Sequence, residues 1–236
     1  MSVPRARRPL PFRRTVDVGV AALLLAAASP IIVLLVIAGH LVSGRAFFRQ
    51  VRLGRDLEPF VLVKFQTMVN GAAAGSTVTA AGDARITPYG RILRFLKLDE
   101  LPQLMNILRG EMSLVGPRPL TPNEIAAMPR HLAAVVYRAC PGLTGISSIA
   151  FVDEERLLAG AAEPERVYFE EMLPRKIALE LAYAQRRNWR TDLILLLLTP
   201  VAQFLPGVRR RVLVRLVPEW EGLAAGARFG SKTAVI

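Results

Sequence analysis

The sequence predicts a mostly helical α/β fold: a re-entrant N-terminal membrane helix, a small β-hairpin, and amphipathic helices suited to a membrane interface. Three observations lead there. An apolar run from Val16 to Val42 carries arginines on both flanks. Two β-leaning runs, AFFRQVRLG and PFVLVKFQTM, flank a short polar link and precede a basic amphipathic stretch. Beyond them, helical patterns rich in leucine and arginine alternate with proline and glycine breaks.

The chain has 236 residues, enough for one substantial domain or a small domain with an appendage. It is 52% hydrophobic yet 21% charged, too polar for a multi-span membrane protein. A net charge of +12 favours an anionic partner: membrane lipids, a phosphorylated substrate or nucleic acid. Only 7% of residues are aromatic and neither zinc-finger spacing nor an RRM motif occurs, so nucleic acid is not the expected partner. A single cysteine, Cys140, excludes an intramolecular disulfide and is expected as a small buried residue.

The run from Val16 to Val42 exceeds the roughly 20 residues a bilayer span needs. Arg5, Arg7, Arg8, Arg13 and Arg14 precede it; Arg45, Arg49, Arg52 and Arg55 follow it. Arginine beside a membrane segment is retained on the cytoplasmic side, and a straight span would violate that bias at one end. A segment that bends at Ser29-Pro30 and leaves by the face it entered satisfies both flanks. Pro30 removes a backbone donor, and the Ser29 hydroxyl can satisfy a carbonyl freed by the break. Asp17 is expected to pair with Arg13 or Arg14 at the membrane surface. A kinked single span and a cleaved signal ending in AAAS are the alternatives.

The hairpin follows, its second strand ending at Lys64, and then a polar surface loop, NGAAAGSTVTAAGDAR. ITPYGRILRFLK reads as a basic amphipathic helix with Arg91, Arg94 and Lys97 between Ile92, Leu93 and Leu96. TPNEIAAMPRHLAAVVYRA offers a helix starting at Thr121 or Asn123 and interrupted by Pro129. CPGLTG reads as a turn, DEERLLAGA as a helix, and RVYFEEMLPRKIALELAYAQRRNW as a helix broken near Pro174. DLILLLLTPVAQFLP is too short to span and reads as interfacial or buried. GVRRRVLVRLVPEW places arginines beside Trp220, a pattern suited to headgroup depth, and the last residues read as frayed.

The chemistry is concentrated in LDELPQLMNILRGEMSLVGPRP, residues 98–119. With Asp99 as N-cap, Glu100 and Leu101 open a helix and Pro102 takes the third position, where its missing donor costs nothing. The helix dipole there favours ionised carboxylates and an arriving phosphate alike. Gly110 is expected to end the helix and Gly116 to permit a tight turn into Pro117-Arg118-Pro119. The flanking prolines would hold Arg118 as a preformed fork for phosphate oxygens. An ionised carboxylate can attack phosphorus, and Asp99 with Glu100 can supply the one or two carboxylates that Mg2+ prefers. Taken singly, Asp-Glu is ordinary capping, and Arg94 and Lys97 are solvated helix charges. His40 and His131 lack a partner pattern and read as structural or exposed. No Walker A, HExxH or nucleophile-elbow pattern is present.

KFQTM (64–68), DARITPYGRILR (83–94), LDELPQLMNILRGEMSLVGPRP (98–119) and PGLTG (141–145) occur in an order and spacing that resembles the bacterial sugar transferase family. These are the monotopic polyprenyl-phosphate phosphoglycosyl transferases, and the chain is similar to their small, minimal form. The resemblance implies a compact α/β catalytic body at the cytoplasmic face of the bacterial inner membrane. It implies transfer of a sugar-1-phosphate from a UDP-sugar to polyprenyl (undecaprenyl) phosphate, with Mg2+ as cofactor and release of UMP. It puts Asp99 in the place of the nucleophile and Glu100 beside it in metal binding or proton handling. Lys64, Arg94 and Arg118 fall on basic positions near the bound phosphates. The domain reading is a membrane anchor with basic flank over 1–44, a cytoplasmic catalytic domain over 45–206 and a basic interfacial C-terminal tail over 207–236.

The chain departs from the pattern at Gln66 and Cys140, where basic residues are usual, and at Val152, where an arginine would fall. Another branch carries a DEE segment like Asp153-Glu154-Glu155. Two other readings stay open at this point, a Mg2+-dependent lipid-phosphate enzyme and a basic peripheral scaffold. A homodimer is a further partner that these residues allow.

Overall fold

A computed structural model describes residues 11–72 and 78–225. Arg5, Arg7, Arg8, the centre of the polar loop (73–77) and the C-terminal stretch 226–236 lie outside the described residues. The first element, α1, is one helix over Pro11–Ser43, 33 residues and therefore about 50 Å long if straight. It continues through Pro30, which denies a hydrogen bond to the carbonyl of Ala26 one turn earlier. The Ser29 hydroxyl donates to that same carbonyl at 2.8 Å. Local chemistry thus compensates for the proline without ending the helix.

Both ends of α1 dock on the rest of the protein. Near the start, Arg14 donates to the carbonyls of Ile107 and Leu108, and Ala21 is fully buried. Asp17 accepts from Ser113 Oγ at 2.7 Å and from the Leu114 amide at 3.1 Å. The expected pairing of Asp17 with Arg13 or Arg14 is therefore not what forms. Arg13 pairs instead with Asp192 at 3.2 Å. A carboxylate gains more from two fixed donors at a strand than from a solvated neighbour on its own helix. Towards the other end, Tyr89 Oη donates to the Leu35 carbonyl at 2.8 Å and Asn70 Nδ2 to the Ser43 carbonyl at 2.9 Å. Between the docked ends the helix shows Leu23, Ile31, Val33 and Leu34 to the outside.

β1 (Phe47–Leu53) and β2 (Pro59–Phe65) form the expected antiparallel hairpin, in register from Phe47 opposite Phe65 to Leu53 opposite Pro59. The second strand runs one residue past Lys64, because Phe65 stacks on Phe47 with ring centroids 5.4 Å apart. α2 (Pro88–Phe95) starts at Thr87, whose hydroxyl accepts from the Gly90 amide. Leu93 points into the body, whereas Ile92, Phe95 and Leu96 are exposed.

Lys97 then takes a left-handed conformation (φ 57°), and Leu98–Glu100 form a single 3-10 turn. α3 proper covers Gln103–Arg109 with Pro102 at its cap and closes on Gly110 at φ 88°. Gly110 thus ends the helix as expected. Asp99, however, is not the N-cap of α3: it sits one turn earlier and makes no side-chain cap hydrogen bond. The reversal at Lys97 uses up the residues that would have begun the helix.

β3 (Ser113–Val115) pairs in parallel with β4 (Gly142–Thr144), so CPGLTG contains a strand rather than only a turn. Gly116 likewise serves a close approach rather than a turn. A β-carbon built there would lie 2.2 Å from the Cys140 carbonyl oxygen, and one at Gly142 would lie 2.1 Å from the Gly116 amide nitrogen. Without side chains at these points the two backbones meet directly.

α4 (Pro122–Ala126) begins with a capping box between Thr121 and Glu124, and Pro129 separates it from α5 (Arg130–Val136). α6 (Ile146–Ala150), α7 (Glu154–Ala159) and α8 (Pro164–Val167) follow. A five-residue wide turn, Tyr168–Met172, makes the expected break before Pro174 and leads into α9 (Leu173–Arg186). α10 (Trp189–Leu198) has Leu195 and Leu198 buried and Leu193 and Leu197 exposed, a two-sided element rather than a wholly buried one. α11 (Pro206–Leu216) buries Leu213 and Leu216, and α12 (Trp220–Ala225) sets Trp220 edge-on to Phe151 at 6.1 Å. Leu104, Ile107, Tyr137, Ile146, Leu179 and Leu213 belong to one core, each buried side chain contributing about 1.5–3 kcal/mol of apolar transfer.

Candidate active site

One cavity of about 470 Å3 opens between the hairpin, α2, the Leu98–Glu100 turn, the Pro117–Pro119 loop and α7. Lys64, Arg94, Asp99, Glu100 and Arg118 all line it. Residues 54 positions apart in sequence are thus gathered around one space by the hairpin end, one short helix and one glycine-bounded loop. Ser29 and Pro30 lie elsewhere, on α1. His40 and His131 are exposed and do not line the cavity.

Asp99 is buried, 7% exposed. Its carboxyl is pushed up to about 6, first by burial and then by the charge of Glu100, with Lys64, Arg94 and Lys97 pulling the other way. Burial also drives the Lys64 ammonium down to about 8 against the attraction of Asp99. Lys64 lies 5.2 Å from the centre of the Phe48 ring, which supports the charge from beneath. At neutral pH Asp99 is therefore ionised but more basic than an ordinary aspartate, and Lys64 is still mostly charged beside it.

Arg94 is fixed at two points. Its Nε donates to Thr67 Oγ1 at 3.1 Å and its Nη1 meets Glu155 Oε1 at 2.7 Å. Arg118 lies 3.5 Å from Glu100 and keeps 46% of its side chain exposed to the cavity. Its backbone is held by Tyr137, whose hydroxyl donates to the Arg118 carbonyl at 2.6 Å. Beneath the loop, Arg52 bonds the Pro119 carbonyl at 3.1 Å and pairs with Glu124 at 3.2 Å. Burial works against the Glu124 charge, yet Arg52, Tyr168 and Thr121 together hold its carboxyl below the usual range. The prolines restrict the chain, and this buried network decides where the restricted chain sits.

No local sequence pattern marks Tyr137, Arg52, Glu124, Thr67, Glu154 or Lys176 as site residues. The Thr121-to-Glu124 spacing was a readable capping box, but nothing local connects it to Arg52 on β1. Gln66 is buried with its amide donating to the Met68 carbonyl at 2.6 Å, so it faces inward rather than into the cavity. Cys140 is half-buried near the Glu111 carbonyl, and burial raises its thiol.

Among the described residues no group of three or more His, Cys, Asp or Glu side chains converges as a metal cage. Two adjacent carboxylates on one cavity wall do suit a magnesium ion that takes its other ligands from substrate and water. A cation held by both would offset the repulsion from Glu100 that, after burial, raises Asp99.

A family model described as "Bacterial sugar transferase" matches residues 8–205. The chain is 41% identical over 194 residues to a UDP-glucose:undecaprenyl-phosphate glucose-1-phosphate transferase of Caulobacter vibrioides, covering 79% of this chain and 67% of that one. It is 34% identical over 208 residues to an undecaprenyl-phosphate glucose phosphotransferase of Komagataeibacter xylinus, covering 82% of this chain but 37% of that one. It is 33% identical over 142 residues to an N-acetylgalactosaminephosphotransferase of Aeromonas hydrophila acting on undecaprenyl phosphate, covering 58% of this chain and 34% of that one. The chain thus spans about two thirds of the first relative's length and little more than a third of the other two.

Proposed function

The chain belongs to the bacterial sugar transferase family, and from that premise we propose that it moves a sugar-1-phosphate from a UDP-sugar to undecaprenyl or a similar polyprenyl phosphate. The names of its relatives support the donor and acceptor classes. The observation that carries the reading is Asp99, a buried and unusually basic carboxylate on the wall of a cavity shared with Lys64, Arg94 and Arg118.

The reaction proceeds in two displacements. A carboxylate oxygen of Asp99 attacks the phosphorus that bears the sugar, and the bond from that phosphorus to the bridging oxygen breaks. The electron pair leaves with the bridging oxygen on UMP. A phosphate oxygen of the polyprenyl acceptor then attacks the same phosphorus, and Asp99 departs as a free carboxylate. Lys64, Arg94 and Arg118 hold the non-bridging oxygens and bear the charge that develops on them. Glu100 orients Arg118 and raises the basicity of Asp99. Asp99 and Glu100 would hold a divalent ion, which when bound neutralises diphosphate charge.

The acceptor is a membrane lipid, so the cavity must lie at headgroup height. Docking of both ends of α1 on one body, with arginines at each flank, supports a helix that enters and leaves by the cytoplasmic face. In this reading residues 1–44 anchor, 45–206 catalyse and 207–236 follow the interface. Mixing enzyme with UDP-sugar alone, quenching in acid and analysing peptides by mass spectrometry should reveal a sugar phosphate on Asp99. An adduct on another residue, or UMP release by Asp99→Asn at the native rate, would remove Asp99 from the mechanism. Chelation with EDTA should stop UMP release, and added Mg2+ should restore it.

A further inference from the structure

Asp153, Glu154 and Glu155 are consecutive, yet each is pinned to a different element. Asp153 pairs with Arg209 of α11 at 2.7 Å, Glu154 with Lys176 of α9, and Glu155 with Arg94 of α2 at 2.7 Å. All three carboxylates line the cavity that holds Asp99. The middle one differs from its neighbours in its partner. Lys176 is 5% exposed, and its ammonium lies 4.8 Å from the Tyr168 ring centre and 5.7 Å from that of Phe151.

An ammonium set beside two rings and one carboxylate is a well-held partner, so it fixes the carboxylate that it holds. Lys176 takes Glu154 Oε2. Glu154 Oε1 has no hydrogen-bond partner among the described residues, and 27% of the side chain is exposed. A rigid acceptor therefore faces the cavity with lone pairs to spare. The cavity that it shares is also lined by Ser148, Phe151 and Val152. A lining that mixes polar and apolar side chains suits a pyranose, whose hydroxyls project from an apolar ring.

Arg118 connects this wall to the reacting carboxylates. Burial opposes its charge, but Glu100 and then Glu154 outweigh it and raise the guanidinium above its ordinary value. A phosphate held by Arg118 beside Asp99 thus shares one cavity with Glu154. We propose that Glu154, positioned by Lys176, accepts hydrogen bonds from hydroxyl groups of the donor's hexosyl ring and selects a hydroxyl-bearing hexose over analogues lacking one. This inference rests on the sugar-phosphate transfer reading above. Glu154 is the specificity residue and Lys176 its positioning residue.

The test uses the full-length protein in detergent with a short polyprenyl phosphate, UDP-glucose and its monodeoxy analogues, and UMP release as readout. With the native enzyme at least one deoxy donor should lose about 10- to 100-fold in kcat/KM, the loss expected for a charge-assisted hydrogen bond. In Glu154→Gln, Lys176 takes the amide carbonyl and leaves an NH2 donor facing the sugar. The deoxy penalty should then shrink to within about 3-fold, as a double-mutant cycle on one contact requires. Inhibition by UDP should not change, which separates a sugar contact from a nucleotide contact. Lys176→Arg should lower the same discrimination while unfolding at the native temperature. A native enzyme indifferent to every deoxy donor would overturn the assignment, and this arm decides even if the variants fail to fold. So would a penalty undiminished in Glu154→Gln, or UDP inhibition weakened in parallel. Failure of the native enzyme to release UMP from any UDP-sugar strikes instead at the transfer reading itself.

Discussion

The Tyr137 hydroxyl donates to the Arg118 carbonyl at 2.6 Å, fixing the backbone of a cavity-lining arginine from beneath. Tyr137 is buried at 1% exposure, and burial first, then Glu180 and Glu124, push its phenol well above the usual range. It is a permanent donor. Tyr137→Phe keeps the ring and removes only this bond. Stability should fall by about 0.5–1.5 kcal/mol, while kcat/KM for UMP release falls about 10-fold. Unchanged kinetics would mean that the prolines alone hold the loop.

Arg118→Lys tests the fork. A lysine keeps the charge but cannot present two parallel donors to phosphate oxygens or to Glu100. The expected outcome is a loss of about 10- to 100-fold in kcat with the native unfolding temperature. Full activity in this variant would reduce Arg118 to a source of positive potential.

Asp17→Ala tests the docking of α1. The substitution strands the Leu114 amide and the Ser113 hydroxyl, at a cost of about 1–3 kcal/mol. Thermal unfolding in detergent should shift down by about 2–4 °C for each kcal/mol lost. No shift would show that Ala21 and the arginines at the helix start are sufficient.

Glu180 gives a pH prediction. It is fully enclosed and accepts from the Ser147 hydroxyl and amide; burial raises its carboxyl, while Ser147 and Arg187 pull it down by less. A carboxyl raised in the folded state adds stability that is complete below the unfolded value near 4.5 and is lost as pH rises through the folded value. Glu180→Gln keeps an acceptor for Ser147 and removes the titration. The unfolding temperature of the variant relative to the native protein should therefore climb between pH 4 and pH 7. A difference independent of pH would exclude Glu180 as the cause.

How much of this was legible in the sequence depends on how local each signal is. The hairpin, the Thr121 cap, the Gly110 stop and the break before Pro174 are written in neighbouring residues, and they form where expected. Asp99, Glu100, Lys64, Arg94 and Arg118 share one cavity, a grouping legible only through the family resemblance and not in any local pattern. What escaped is long-range. The parallel pairing of β3 with β4 depends on glycines 26 residues apart. The Asp17 contact joins residues 96 apart, and the Glu154–Lys176 pair joins two helices with no shared pattern. The Asp99 cap failed for a local reason that propensity cannot supply: a lysine in the left-handed region.

The bare contact between Gly116 and Gly142 has a consequence for anyone reshaping the donor range by directed evolution. No side-chain carbon fits at either position, so libraries that randomise the strand ends return mostly collapsed protein. The segment bearing Arg118 cannot be re-aimed from its own base. Useful diversity has to enter from the opposite rim, through residues 148–155, where the lining consists of replaceable side chains rather than main chain.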